Sequence, residues 1–195
     1  MRSRLSDVPF RLLGVVADPN HASDFCGHAF AHYAASGTDV TLVCAAAHEW
    51  NAGERRSALR QLGVRNLVLL DFRLNELTAD LEDLFADVMA SVRPHVVIAD
   101  GTQPAVKAAT ASAFSRVRRA AGGSSALPAK LYYRSQGGSP LVRVTTSIAV
   151  PGKPADLFVR AFPDPWITGV LERDLFAGVP AETPAPASLD QQLAG

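Results

Sequence analysis

The chain is poor in cysteine, carries no net charge and has no long apolar run, and each shortage removes a class of protein. Cys26 and Cys44 are its two cysteines. Both lie in apolar segments, so a structural disulfide framework is not expected and a reducing, cytoplasmic setting fits. Lys and Arg number 19 against 19 Asp and Glu, which leaves no field to attract nucleic acid or an anionic membrane. The densest basic cluster, Arg116, Arg118 and Arg119, reads as a solvated helix end. No apolar run nears the roughly 20 residues that a bilayer span needs. The charged residues 1–7 have no apolar core behind them, so no signal peptide is expected. Residues 17–25 contain no glycine, which disfavours a nicotinamide or flavin cofactor.

What is present is alternation on a larger scale. Apolar runs over 10–16, 40–44, 66–70 and 95–99 are rich in Val, Leu and Ile, as strands buried on both faces of a parallel sheet must be. Between them, 24–36, 52–62 and 75–92 place apolar residues at helical spacing. In the last of these, Leu77, Leu81, Leu84, Phe85, Val88 and Met89 form one core-facing stripe. Gly37 and Gly63 stand where left-handed helix ends want glycine. A further helix is expected from Pro104 to about Ala121, and later strands over 130–134 and 141–150, with an antiparallel edge. The pattern predicts a three-layer α/β/α sandwich of Rossmann-like, mainly parallel type over residues 1–180. Residues 181–195, rich in Ala and Pro, read as a flexible tail.

In such sheets functional groups gather beyond the carboxyl ends of the strands. Those positions hold Asp18, Asn20 and His21 after the first strand, and His48, Glu49 and Trp50 after the second. Asp71 and Arg73 follow the third, and Asp100, Thr102 and Gln103 the fourth. Trp50 offers a stacking face for a sugar ring or a cover for the core. Thr102 and Gln103 open a helix whose first N–H groups suit an anion.

These blocks, taken in order, resemble the PIG-L/LmbE family. That family opens on a strand and Ala-His-Pro-Asp-Asp-Glu, followed by Gly-Gly and a helix ending in Gly. Here the same register reads Ala17-Asp18-Pro19-Asn20-His21-Ala22, then Cys26-Gly27-His28, with Gly37 closing the helix. Glu54 with Leu62-Gly63-Val64 matches the family's glutamate helix. Arg93-Pro94-His95-Val96-Val97 resembles its Arg-Pro-Asp-Val-Val, and Leu131-Tyr132-Tyr133 its Leu-Tyr-Tyr strand. The resemblance implies an LmbE-like fold and zinc-dependent removal of N-acetyl groups from sugars and related amides.

The residues that would perform this chemistry are altered. The resemblance places the first two zinc ligands at Asp18 and His21, where the family's histidine and aspartate have exchanged places. It places the general base at Asn20, whose amide cannot take a proton from water near neutral pH. The family's His-Pro-Asp-His aligns with Gln103-Pro104-Ala105-Val106, so Val106 stands for the third ligand and Gln103 for the first histidine. Ala22 and Asn51 replace a further glutamate and arginine.

Three readings remain open. One is a diverged, catalytically inactive member that binds a small ligand such as an N-acetylated sugar and needs no cofactor. The second is an active amide hydrolase with a rebuilt zinc site from Asp18, His21 and His28 and a base drawn from His48, Glu49 or Asp100, since three ligands and one open position suffice. The third is a non-catalytic subunit acting through a protein interface. His28 and His32, four residues apart, are expected to share a helix face. Apolar helices bury equally well in a core or an interface, so an oligomer stays open.

Overall fold

The computed structural model describes residues 8–18, 22–47, 59–60, 62–73, 80–122, 127–134, 145–148, 156–161, 171–172 and 174–179. Among these, the strands are β1 (Arg11–Val16), β2 (Asp39–Cys44), β3 (Val64–Leu69), β4 (Val96–Ala99), β5 (Lys130–Arg134), β6 (Thr145–Ile148), β7 (Asp156–Ala161) and β8 (Leu171–Glu172). The helices are α1 (Ala22–Ala35), α2 (Asp80–Val92) and α3 (Pro104–Ala120). The helix expected over 52–62 lies almost wholly outside the described residues. Its end does not: Gly63 has φ +81° and donates its N–H to the Arg60 carbonyl at 2.9 Å.

All eight strands join one sheet in the order β3-β2-β1-β4-β5-β7-β6-β8. From β3 to β5 every pairing is parallel, with Val16 beside Cys44 and Val15 beside Ala99. The direction then reverses: β7 runs antiparallel to β5 and to β6, while β8 pairs parallel with β6. The expected antiparallel edge is therefore there, and β7 and β8 enlarge it beyond the two later strands that the sequence pattern suggests.

Side chains alternate across a strand, and here they feed two separate cores. Leu12 and Val16 of β1, Val40, Leu42 and Cys44 of β2 and Val96 and Ile98 of β4 pack with Ala29, Phe30 and Tyr33 of α1. Leu13 and Val15, with Val43, Val97 and Ala99, pack on the other face with Leu81, Phe85 and Met89 of α2 and with Val106, Ala113 and Phe114 of α3. One helix on one face and two on the other make the expected three layers. Leu81, Phe85 and Met89 are the buried part of the stripe read in the sequence; Leu77 lies outside the described residues.

Three local features hold the layers in place. Gly14 sits in mid-β1 because the Phe30 ring of α1 occupies the space a Cβ would need. Arg116 of α3 reaches Asp83 of α2 at 2.6 Å, and Arg118 donates to the Ala129 carbonyl at 3.1 Å. The basic cluster thus fastens helix to helix and helix to β5, beyond the solvated helix end expected. At the opposite end of the sheet from the strand carboxyl termini, His95 is buried; its Nδ1 accepts the Arg11 N–H at 3.1 Å, and its own N–H donates to the Arg11 carbonyl at 2.9 Å.

Residues 174–179 add further cover to the α1 face. Leu175, Phe176 and Val179 enter that core. The Tyr33 hydroxyl donates to Asp174 Oδ1 at 2.9 Å and accepts the Leu175 N–H at 2.8 Å. Lys130 donates to the Ala177 carbonyl, and the Phe176 ring lies against Phe10 and Tyr33.

Candidate functional site

With β1 central and its two neighbours reached by chains running opposite ways, the sheet has its switch point between β1 and β4. A crevice forms there beyond the strand ends in folds of this order. The loops leaving those two strands carry Asp18 on one side and Asp100, Thr102 and Gln103 on the other.

Asp18 follows the buried Ala17, whose carbonyl accepts the Ala46 N–H at 2.7 Å and so holds the strand end against the residues after β2. Asp18 itself is half-buried. Its neighbour is the buried thiol of Cys44: burial first, and the Asp18 charge second, push that thiol from 9.0 up to about 12. The thiol is therefore un-ionised at neutral pH and no nucleophile.

Asp100 is 5% exposed. Its N–H donates to the Val15 carbonyl at 2.9 Å, which extends the β1–β4 ladder one residue beyond β4. Its Oδ1 accepts both the Thr102 N–H at 2.8 Å and the Thr102 hydroxyl at 2.6 Å, a side-chain turn of the kind aspartate favours. That turn delivers the chain to Gln103, the N-cap of α3, with Pro104 at the first helical position. The Gln103 side chain makes no capping bond, and Thr102 is exposed. Gly101 fits closely: a Cβ there would stand 3.3 Å from Tyr133 Cβ and 3.5 Å from the Arg134 carbonyl oxygen.

Val106 takes the first turn of α3 into the apolar core and is fully buried. His28 is half-buried on α1, just past a break in the helix at Cys26 (φ −151°, ψ 19°). His28 and His32, four residues apart on α1 beyond that break, differ in burial. His32 is exposed and lies edge-on to Tyr33 at 5.0 Å, so the helix turns it to solvent while His28 is partly enclosed. Asn20, His21, His48, Glu49 and Trp50 lie outside the described residues.

A zinc ion would need three protein ligands and an open position. Among the described residues no three His, Cys, Asp or Glu side chains form such a group. Asp100 already accepts two donors, Cys44 is held protonated, and Val106 offers only hydrocarbon to its surroundings. His21, one of the expected ligands, lies outside the described residues, and the described ones alone do not supply a zinc site. No described helix is long and apolar enough to cross a membrane.

The burial of the acidic groups sets one expectation for the whole fold. Cys44 and Tyr133 are both raised to about 12 by burial, and Tyr33 is raised further. Groups whose folded values lie above their unfolded ones stabilise the fold fully below the unfolded values and lose that contribution as pH climbs to the folded ones. Chemical denaturation midpoints should hold level up to about pH 9 and fall between about pH 9 and 12. A Cys44→Ala variant should lose the earliest part of that fall. An aromatic disulfide reagent at pH 8 should leave both buried thiols unmodified until the protein unfolds; prompt native labelling of Cys44 would contradict its burial.

No family model matches the chain, and no curated protein matches it. Solved structures do. A deacetylase of the teicoplanin biosynthesis pathway, in complex with teicoplanin, superposes with a TM-score of 0.58 at 12% identity, over 77% of this chain and 97% of that one. A conserved protein of Thermus thermophilus, TT1542, gives 0.56 at 20% identity, over 70% and 71%. The 4-carboxy-2-hydroxymuconate hydratase GalB of Pseudomonas putida gives 0.52 at 19% identity, over 65% of each chain. The chain thus spans just under two thirds of the hydratase. Identities this low speak for the fold alone, and one fold carrying a deacetylase and a hydratase does not fix a reaction. In fold, this chain is similar to a solved deacetylase and to a solved hydratase.

Proposed function

We propose that the chain is a diverged member of the PIG-L/LmbE de-N-acetylase lineage that binds a small polar molecule, of the N-acetylated sugar class, in the crevice beyond β1 and β4, without the family's metal-dependent hydrolysis. The observation that carries this reading is Val106. The position aligned with the third zinc ligand is not a polar residue at the crevice wall but a fully buried part of the apolar core. Asn20 at the base position points the same way, since general-base assistance is worth about 10²–10⁴ in rate.

The side chains that remain suit binding. The Asp18 carboxylate, half-buried at the end of β1, accepts hydrogen bonds from hydroxyl or amide N–H groups. Asp100 fixes the loop through Thr102 and so sets the position of Gln103, whose amide both donates and accepts.

The test is metal content of freshly purified, untagged protein by plasma mass spectrometry, before and after zinc is offered and excess removed. The expected result is far less than one zinc per chain. About one zinc per chain, lost in Asp18→Ala/His21→Ala, would overturn the proposal in favour of a rebuilt hydrolase site.

A further inference from the structure

The sheet ends unequally. At one edge stands β8, two residues long; short edge strands are one way in which natural sheets avoid pairing with other chains. At the other edge stands β3, six residues long, and among the described residues no strand lies outside it. Its charged residue, Arg65, sits near the start, beside a register shift against β2 between Val40 and Thr41. Beyond that irregularity Leu67, Val68, Leu69 and Leu70 follow one another with no charge and no proline. All four are half-buried, whereas Val40 to Cys44 of the neighbouring β2 are buried throughout.

The backbone bonds show which groups this edge leaves open. The Leu70 N–H donates to the Cys44 carbonyl at 2.9 Å, and the Leu70 carbonyl accepts the Ala47 N–H at 3.1 Å, so Leu70 bonds on the β2 side. Bonding direction alternates along a strand, so Asn66 and Val68 also bond toward β2. Leu67 and Leu69 turn their N–H and carbonyl groups outward, as residues of an edge strand do.

Two copies of this strand, set antiparallel about a twofold axis through Val68, complete one another. Leu67 of each copy then stands opposite Leu69 of the other, outward groups facing outward groups, as a hydrogen-bonded antiparallel pair requires. Val68 meets Val68 of the second copy at a non-hydrogen-bonded position. Just past the apolar stretch, Arg65 of each copy faces Asp71 of the other. Both are exposed, so each end of the junction brings unlike charges together. Moving the register by two residues loses this match: one shift sets Arg65 against Leu69, the other against Arg73. The junction displaces no bond already made. Arg65 keeps Asp39, which it meets at 2.6 Å, because a guanidinium has several donors and a carboxylate several acceptor sites.

We infer that the outer edge of β3 is a self-association surface whose partner is a second copy of this chain, joined strand to strand so that two eight-stranded sheets run on as one. Twofold contacts that use the same patch on both chains are the commonest form of assembly. The junction stands apart from the binding role proposed above. β1 lies two strands inward from this edge, and the twofold axis points the strand carboxyl ends of the two copies, with their crevices, in opposite directions.

Sedimentation of the full chain tests this, together with charge reversal and cross-linking. At about 100 μM the native chain should sediment at twice the chain mass. Arg65→Asp and Asp71→Arg, both at exposed positions, each set like charges across the junction and should raise the dissociation constant about tenfold. The double variant Arg65→Asp/Asp71→Arg should return it to near the native value. Val68→Cys brings two thiols to the axis, where the Cα atoms of a non-hydrogen-bonded pair stand about 4.5 Å apart, within reach of a disulfide. Mild oxidation should convert that variant to a covalent dimer. Asn66→Cys, whose two copies lie on opposite sides of the axis, should give none, and neither should the native chain, whose Cys26 and Cys44 are buried. A native chain that stays monomeric at about 100 μM would overturn the proposal. A dimer that neither charge reversal weakens, or one that Asn66→Cys cross-links and Val68→Cys does not, would overturn it too.

Discussion

Phe30→Ala should lower stability by about 3–5 kcal/mol, the usual cost of deleting a buried aromatic ring, with a fall in melting temperature on the order of 10 °C for a chain of this size. Phe30 is fully buried, and its ring lies directly on the backbone of Gly14 in the central strand. No neighbour can fill the space by a rotamer change on β1, because Gly14 has no side chain to offer. The pair predicts a change of sign. In the native background Gly14→Ala drives a methyl into the ring and should cost about 1–3 kcal/mol. In the Phe30→Ala background the same methyl enters the vacated space and should stabilise. Denaturant midpoints for the four proteins of this cycle measure the coupling; an equal cost for Gly14→Ala in both backgrounds would refute the close approach.

Leu175→Ala should cost about 2–5 kcal/mol, although it lies in a turn remote in sequence from every element it covers. Leu175 is fully buried, and its N–H is received by the Tyr33 hydroxyl. Tyr33→Phe removes that acceptor and one donor to Asp174, leaving a buried N–H unsatisfied at about 1–3 kcal/mol. Both changes loosen one turn, so the double variant should lose less than the two losses added. Full additivity in urea denaturation would mean that the turn and α1 act independently, against the geometry.

The parallel half of the fold is legible in the sequence because strands covered on both faces must be largely apolar, and β1, β2 and β4 are, apart from Arg11, Asp39 and Thr41. Helix α2 is legible through Leu81, Phe85 and Met89, spaced to fall on one face. Strand β7 escapes such a reading because Asp156 and Arg160 interrupt its apolar residues, as a pairing in the antiparallel half of the sheet permits. The cover supplied by Leu175 and Phe176 cannot be read locally, since its partners are Tyr33 and Phe10, far back in the chain.

For the candidate site, one rule points to Asp18, Asp100, Thr102 and Gln103: chemistry gathers past the carboxyl ends of strands. His28 and His32 pair on spacing alone. Spacing says which residues can share a face but not which of them the helix turns toward the sheet.

The hydrogen bonds between Tyr33 and residues 174–175 close loops of 141 and 142 positions. Chains are made from the amino end at about 5–20 residues per second, so the first strands and α1 leave the ribosome well before their cover exists. Throughout that interval the ring of Tyr33 and the apolar floor beneath it stay open to water and to whatever binds exposed apolar surface. A nascent chain halted anywhere before Asp174 has strands but no seal. For this protein the synthesis of residues 174–179, not that of the first strands, decides when the α1 side gains this cover against the chaperones and proteases that patrol unfinished chains.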